Sequence, residues 1–323
     1  MENQKIKWGI IGLGNIANQF AADLLLLEDA ELVAVASRNK DNADKFAQKY
    51  KCRKAYDSYD LIFADKEIDI VYIATPHDSH AALSIKAMEN GKHVLCEKPI
   101  ALSFNDAELM IQASKKYNKF FMEAFWTRFI PAVYDALKEI NNGIIGNVNY
   151  IKADFAFHGS EIENKRLFDP KLGGGALFDI GVYPLFLSYI LLGKPIEIIS
   201  SATLHKNNID LQTSIILKYE SAQSVLHASI VSESDMKAVI SGTNGRIELN
   251  SPWFMASGYS VFKDEEKSVI ELPTIGKGYS HEIIECHNCL RNNQIESEFW
   301  SHQNSLDLSK IVEEIKNQIG LDF

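Results

Sequence analysis

"KIKWGIIGLGNIANQF", residues 5–20, decides the fold. It begins as a short apolar run, KIKWGII, and then changes period: Ile16, Phe20, Leu24 and Leu27 recur at helical spacing. Between the two lies Gly12-Leu-Gly14-Asn15-Ile16-Ala17, a G-x-G-x-x-A turn joining a strand to a helix. Gly12 permits the tight turn. Gly14 removes the side chain that would block a pyrophosphate, and Ala17 lets the helix approach the strand. The helix that opens at Asn15 and Ile16 presents N–H donors and a positive dipole end to phosphate. A plain glycine turn is the alternative, but the strand–turn–helix context at the N-terminus is that of a dinucleotide site.

Outward from this turn, strand and helix signals alternate for the first ~120 residues. LVAVAS, IDIVYIA, HVLC and KFFM read as further strands, with NADKFAQKY and a segment from about Ser79 to Asn90 as helices. Gly91 stands where a helix C-cap needs it, and Ser103-Phe-Asn-Asp106 matches a capping box with Asp in place of Glu. Alternation of this kind predicts an α/β unit, a doubly wound parallel sheet of Rossmann type over residues 1–122. After Met122 the grammar changes. Pro131 can open a helix, GNVNYIKADFAF reads as a strand, and a glycine-rich turn with a helix fills residues 173–192. IEIISSATL, LQTSIILKY, QSVLHASIV, KAVISG and GRIELN then follow one another with short turns. The expectation for residues 123–323 is an α+β domain with a large, mostly antiparallel open sheet.

Composition bounds the function. The chain has 323 residues, 46% hydrophobic, enough for a substantial core in two domains. A net charge of −10 disfavours a nucleic-acid partner, which calls for a basic stripe. No secretory signal and no membrane-spanning run are read, so a cytoplasmic location is expected. Four cysteines make no disulfide framework. Cys286-x-x-Cys289 falls mid-helix with no further ligands nearby, which points to core packing and to no metal.

The second strand ends Val35-Ala36-Ser37-Arg38-Asn39, without the acid that NAD sites place there for the ribose. Ser37 can hydrogen-bond a 2′-phosphate and Arg38 can pair with it, which favours NADP over NAD. The other reading stacks Arg38 on adenine and accepts either cofactor.

Three further motifs join the turn: Ala74-Thr75-Pro76 with His80 after it, Glu97-Lys98-Pro99 at the end of a strand, and Gly173-Gly-Gly-Ala-Leu-Phe-Asp179-Ile-Gly-Val-Tyr183-Pro. Four motifs in this order, over nearly the whole chain, resemble the Gfo/Idh/MocA oxidoreductase family. Glu123-Ala-Phe-Trp126-Thr-Arg128-Phe and the Tyr183 motif look most like its dimeric dihydrodiol dehydrogenase and D-xylose dehydrogenase branch. The resemblance implies that Lys98 lies beside nicotinamide and substrate, and that Tyr183 donates or accepts the substrate proton with Lys98 assisting and Asp179 orienting. A free phenol titrates near ~10, and a nearby ammonium would favour its ionised form. The resemblance also places Thr75, Pro76, His77, His80, Glu97, Trp126 and Arg128 along the cofactor. Many inositol dehydrogenases of the family carry histidine where this chain has Tyr183, which argues against an inositol substrate.

Each of these residues also has a structural reading. Lys98 could be a solvated loop lysine paired with Glu97. Asp179 could cap a turn, Tyr183 could pack in a core, and His80 could start a helix. Trp126, Phe157, Trp253 and Tyr279 are aromatic candidates for a substrate wall suited to a flat polyol, sugar or dihydrodiol, and Arg166 could meet an anionic group or just a carboxylate of the fold; core packing accounts for the aromatics equally well. The leading expectation is an NADP-dependent oxidoreductase acting on a cyclic secondary alcohol, lactol or ketone, assembled as a homodimer or homotetramer through the second sheet. A redox-inactive cofactor sensor on the same fold is the alternative, and biliverdin-type reduction or glycoside cleavage through transient oxidation is a third.

Overall fold

The structure, a computed structural model, describes residues 5–159 and 165–323. The chain forms two compact units, Met1–Trp126 with Ile275–Leu306, and Thr127–Thr274 with Asp307–Phe323. The first unit is thus discontinuous in sequence, which a single boundary at 122/123 does not capture.

In the first unit the elements run β1 (Ile6–Ile11), α1 (Asn15–Leu24), β2 (Ala30–Ala36), α2 (Lys40–Tyr50), β3 (Lys54–Tyr56), α3 (Tyr59–Ala64), β4 (Ile70–Ile73), α4 (His80–Glu89), β5 (His93–Glu97), α5 (Phe104–Tyr117) and β6 (Phe121–Ala124). The strands form one parallel sheet in the order β3-β2-β1-β4-β5-β6. Every residue of β4 and β6 is buried, as strands covered on both faces require. Caps follow the local sequence. The Asn39 side chain accepts the Asn42 N–H (3.1 Å), and Ser103 accepts the Asp106 N–H (3.1 Å) while its hydroxyl donates to the Asp106 carboxylate (2.8 Å). Ile11, Val33, Ile73, Val94 and Phe121 lie at the centre of the core. The short β3 and α3 carry too few residues to show a period, and pattern reading passes over them.

The second unit contains α6 (Pro131–Asn141), with Pro131 in its first turn, and β7 (Val148–Ala156). A π-helical turn, Leu177–Gly181, runs into α7 (Val182–Leu192). There follow β8 (Glu197–Leu204), β9 (Asp210–Lys218), β10 (Gln223–Ser229), β11 (Ala238–Gly242), β12 (Gly245–Leu249), β13 (Gly258–Lys263) and β14 (Glu266–Glu271). The sheet order is β14-β13-β12-β11-β7-β10-β9-β8. All neighbours are antiparallel except β7 and β10, which run parallel from Tyr150↔Gln223 to Ala156↔Ser229. That pair is possible because the chain leaves β7 through α7 and returns only after β8 and β9. Pro170–Leu192 is long and apolar enough to cross a membrane by length and composition; the sequence reading takes residues 173–192 of it as a glycine-rich turn and a helix, and most of the stretch is buried inside the protein. Leu167, Ala176, Ile180, Ala228 and Ile230 form the core beside it. The β13–β14 hairpin was also not foreseen. Its turn places Asp264 and Glu265 at φ 53° and 64°, a geometry usually signalled by Asn-Gly.

The chain closes with α8 (Tyr279–Arg291), in the first unit, and α9 (His302–Gln318). Cys286 and Cys289 are buried in α8, and burial pushes both thiols up in pKa, the opposite of a reactive pair.

Candidate functional site

The first unit's contribution begins at the β1–α1 turn. Gly12 has φ +85°, and a Cβ there would stand 2.7 Å from the backbone of Ala74 and Thr75. Only glycine lets β1 leave so close to the exit of β4. Gly14 is the reverse case: a Cβ there would meet no protein atom within 4 Å. It is exposed, Asn15 and Ile16 beside it are exposed, and α1 starts with no side-chain cap. Ala17, one turn in, has no exposed surface. Open space next to uncapped N–H groups fits the pyrophosphate of a dinucleotide.

At the tip of β2, Ser37 accepts the Asn39 N–H (3.2 Å). Arg38 is exposed and donates to the Tyr59 hydroxyl; burial pushes that phenol up in pKa and the guanidinium pulls it back. No carboxylate ends this strand.

Beyond β4, Thr75 is buried and its hydroxyl accepts from Ser79 (2.8 Å). His77 is buried as well. His80 has no exposed surface, and its two ring nitrogens sit 3.0 Å from the carbonyls of Thr75 and Pro99. Of the residues assigned to the cofactor, His80 is therefore one that the fold turns inward, as a tie between two loops.

The Glu97-Lys98-Pro99 loop is held by buried polar groups on both sides. The Tyr72 hydroxyl donates to Glu97, whose second oxygen accepts the Lys98 N–H (3.3 Å). The Lys98–Pro99 bond is cis. Glu123 on β6 accepts the Ile100 N–H (2.8 Å), the Trp300 indole N–H (3.1 Å) and the Ser305 hydroxyl (2.7 Å). Burial pushes both carboxyls up in pKa, and the Lys98 charge opposes the shift in each. Lys98 itself is half-buried. Sequence reading missed Glu123 as a brace because Trp300 and Ser305 lie far along the chain. Trp126 stacks on Tyr279 at 4.8 Å and 18°, and both rings are buried.

The second unit carries the other candidates. Asp179 lies in the π-helical turn and Tyr183 in α7 after it, so the ideal α-helical spacing of four does not apply across the junction. The Arg166 guanidinium donates to Asp179 at 2.6 Å, with 35% and 18% of the two side chains exposed. Tyr183 is 6% exposed and packs against Phe155 and Phe254, each at 5.4 Å. Those two rings stack at 4.0 Å and 7°. Phe157 meets Phe155 edge-on at 6.3 Å. Trp253 is fully buried, its indole N–H donating to the Asp154 carbonyl (2.7 Å), so its neighbour Phe254 takes the place expected of it beside Tyr183. Phe155 was legible, since it shares a strand face with Phe157; Phe254 carried no signal. Arg128 lies over the Tyr134 ring at 5.4 Å.

Asp210 sets the start of this helical stretch. Its carboxylate accepts the Leu177 N–H (2.8 Å) and the Thr213 hydroxyl (2.6 Å), and Gly175, at φ +106°, leaves the space it fills. Burial raises its pKa from 3.8 to about 6. The folded state therefore holds this proton more tightly than the unfolded chain does. The associated stability is full below pH 3.8 and is lost as pH rises through about 6. Asp210→Asn should flatten that part of the stability–pH curve, a difference on the order of 3 kcal/mol. Urea unfolding of both proteins between pH 4 and pH 7.5 checks it, and parallel curves would refute the assignment.

The family described as "Oxidoreductase family, NAD-binding Rossmann fold" matches residues 6–125, and the "GFO/IDH/MocA C-terminal domain" matches residues 134–248. A trans-1,2-dihydrobenzene-1,2-diol dehydrogenase of Xenopus laevis is 35% identical over 331 residues, covering 98% of this chain and 99% of that one. The human protein of the same name is 32% identical over 331 residues, covering 98% of each. Among solved structures, a 3-ketoreductase from Actinomadura kijaniata in complex with NADP and TDP-benzene superposes with a TM-score of 0.88 at 21% identity, over 98% of each chain. An aldose-aldose oxidoreductase from Caulobacter crescentus complexed with glycerol gives 0.89 at 23% identity, over 98% of this chain and 97% of that one. With its NAD(P)-binding turn and its matches across both halves, the chain belongs to the Gfo/Idh/MocA oxidoreductase family.

Proposed function

We propose that this oxidoreductase is NADP-dependent and acts on a cyclic secondary alcohol, a lactol or the corresponding ketone, of sugar or trans-dihydrodiol type. A nicotinamide dinucleotide bound at the β1–α1 turn supplies or accepts the hydride. Gly12, Gly14, Asn15, Ile16 and Ala17 would hold its pyrophosphate, and Ser37 and Arg38 its 2′-phosphate. Tyr183 takes the alcohol proton as the carbon loses hydride, and returns it to the carbonyl oxygen in reduction. Lys98 assists as an ammonium, and Asp179, oriented by Arg166, receives substrate hydroxyls. The observation that carries this reading is the environment of Tyr183: a phenol set among the faces of Phe155 and Phe254, with an Arg166–Asp179 pair on the adjoining turn. Aromatic walls with few polar groups suit a flat ring bearing hydroxyls. The names of the dihydrodiol dehydrogenase relatives support the same class.

Turnover assayed by cofactor absorbance, with NADP and NAD against sugars and trans-dihydrodiols, tests the reading; no turnover with any member would sink it. Arg38→Ala should raise the apparent constant for NADP by about tenfold or more and leave that for NAD nearly unchanged, since it removes a charge-assisted phosphate contact. An unaltered NADP/NAD ratio would refute the assignment of Arg38. The second sheet supports a further proposal, a homodimer or homotetramer. Ile199, Ile216 and Val225 stand 51%, 39% and 40% exposed on β8, β9 and β10.

A further inference from the structure

The first unit has a concave site at the opposite end of its sheet from the dinucleotide turn. A cleft of about 540 Å³ opens where β1, β4 and β5 begin, lined by Ile6, Asp69 and His93 at those strand starts and by residues of the adjoining turns and of α8. β1 alone separates it from Gly12 by six residues, about 20 Å of strand. Its walls carry five cationic side chains, Lys5, Lys66, Lys92, Lys119 and Arg291, against the single carboxylate of Asp69. On a chain of net charge −10, this excess is local to the cleft.

The charges are poorly compensated from within. Among the described residues, Lys5, Lys66 and Lys119 have no carboxylate within 4.0 Å, whereas Lys7, Lys54 and Arg53 nearby all have one. Asp69 accepts the Lys7 backbone N–H (2.9 Å), and Arg291 is committed to Asp29 (2.6 Å). Lys92 is the informative group. It is 5% exposed, and its ammonium donates to the carbonyls of Asp65 (2.5 Å) and Ile68 (2.9 Å), with no carboxylate among the described residues bonded to it. Two of its three donors are used. Burial lowers its pKa, the charges of Asp65 and Asp69 oppose that shift, and Lys119 adds a smaller push downward; half-buried His93 is depressed to about 4 by burial first and Lys119 second. A buried ammonium with a donor to spare, ringed by unpaired cations in a concave wall, attracts anions strongly, because low-dielectric walls focus the field.

We propose that this cleft binds a small multivalent phosphate anion. Lysines suit phosphate as point charges, and the volume admits a pyrophosphate or a phosphorylated small molecule, far less than a nucleic-acid strand. Lys92 would supply the buried contact, and Lys66 and Lys119 the flexible arms.

The dinucleotide turn also takes phosphate, so the test is made on protein saturated with NADP. Inorganic pyrophosphate is titrated by calorimetry into the wild type and into Lys66→Gln/Lys119→Gln. Saturable binding with one site per chain is expected, weakened about tenfold or more by the double substitution, since each charged contact contributes appreciably. It should also weaken steeply between low and high salt. A Lys92→Met variant, checked for its melting temperature, tests the buried contact if it folds. Absence of saturable binding in the wild type overturns the proposal, and so does equal affinity in the double variant, which keeps the buried strands intact.

Discussion

Replacing Tyr183 with phenylalanine is expected to lower turnover about 10²–10⁴-fold, the range typical of a positioned proton transfer. The substitution removes one oxygen and keeps the ring. Packing against Phe155 and Phe254 therefore survives, and the fold should keep its stability. Cofactor affinity should hold too, because the turn proposed to receive the pyrophosphate belongs to the other unit. The signature is thus a fall in kcat with an unchanged cofactor dissociation constant, read by single-turnover kinetics and by nucleotide fluorescence titration. Wild-type kcat in the variant would remove Tyr183 from the mechanism, whereas a parallel loss of cofactor binding would mean that it acts through the fold.

Glu123→Ala should be the most damaging single change to the first unit. It strips the acceptor from three buried donors at once, the Ile100 N–H, the Trp300 indole and the Ser305 hydroxyl. Leaving buried donors unpaired costs about 1–3 kcal/mol each, so a loss of roughly 3–9 kcal/mol is expected when all three stay unpaired. Ile100 stands two residues from Lys98, so turnover should fall below what the unfolded fraction explains. Glu123→Gln keeps one acceptor oxygen and should lie between. Equilibrium urea unfolding together with kcat per folded molecule separates the two effects. A stability loss under about 1 kcal/mol in the alanine variant would show that the three donors find other partners.

What the sequence disclosed and what it withheld follow one physical rule. Gly12, Gly14 and Ala17 fall at a short fixed spacing between a strand and a helix, so the turn was legible, although the close approach of Ala74 and Thr75 that demands Gly12 was not. The parallel sheet was legible because β1, β2, β4, β5 and β6 are apolar runs separated by helices of ordinary length. Glu123 falls just past the strand KFFM, as the first residue of a motif, and its role as a brace comes from Trp300 and Ser305, nearly two hundred residues away. Phe254 could not be chosen over Trp253 without knowing which ring the 3₁₀ turn at Trp253–Met255 buries. The parallel pairing of β7 with β10 depends on the return path of the chain, which no local period encodes.

The return of residues 275–306 to the nucleotide-binding unit has a bearing on how such genes can be cut and joined. Trp8 donates its indole N–H to His287 (3.0 Å), and Asp23 accepts the backbone N–H of Lys277 (2.9 Å). A reading frame ended at the apparent border would leave these groups facing water with their neighbours gone. The second half can therefore not be exchanged as a cassette for that of another protein unless the transplanted piece also brings back a matching α8.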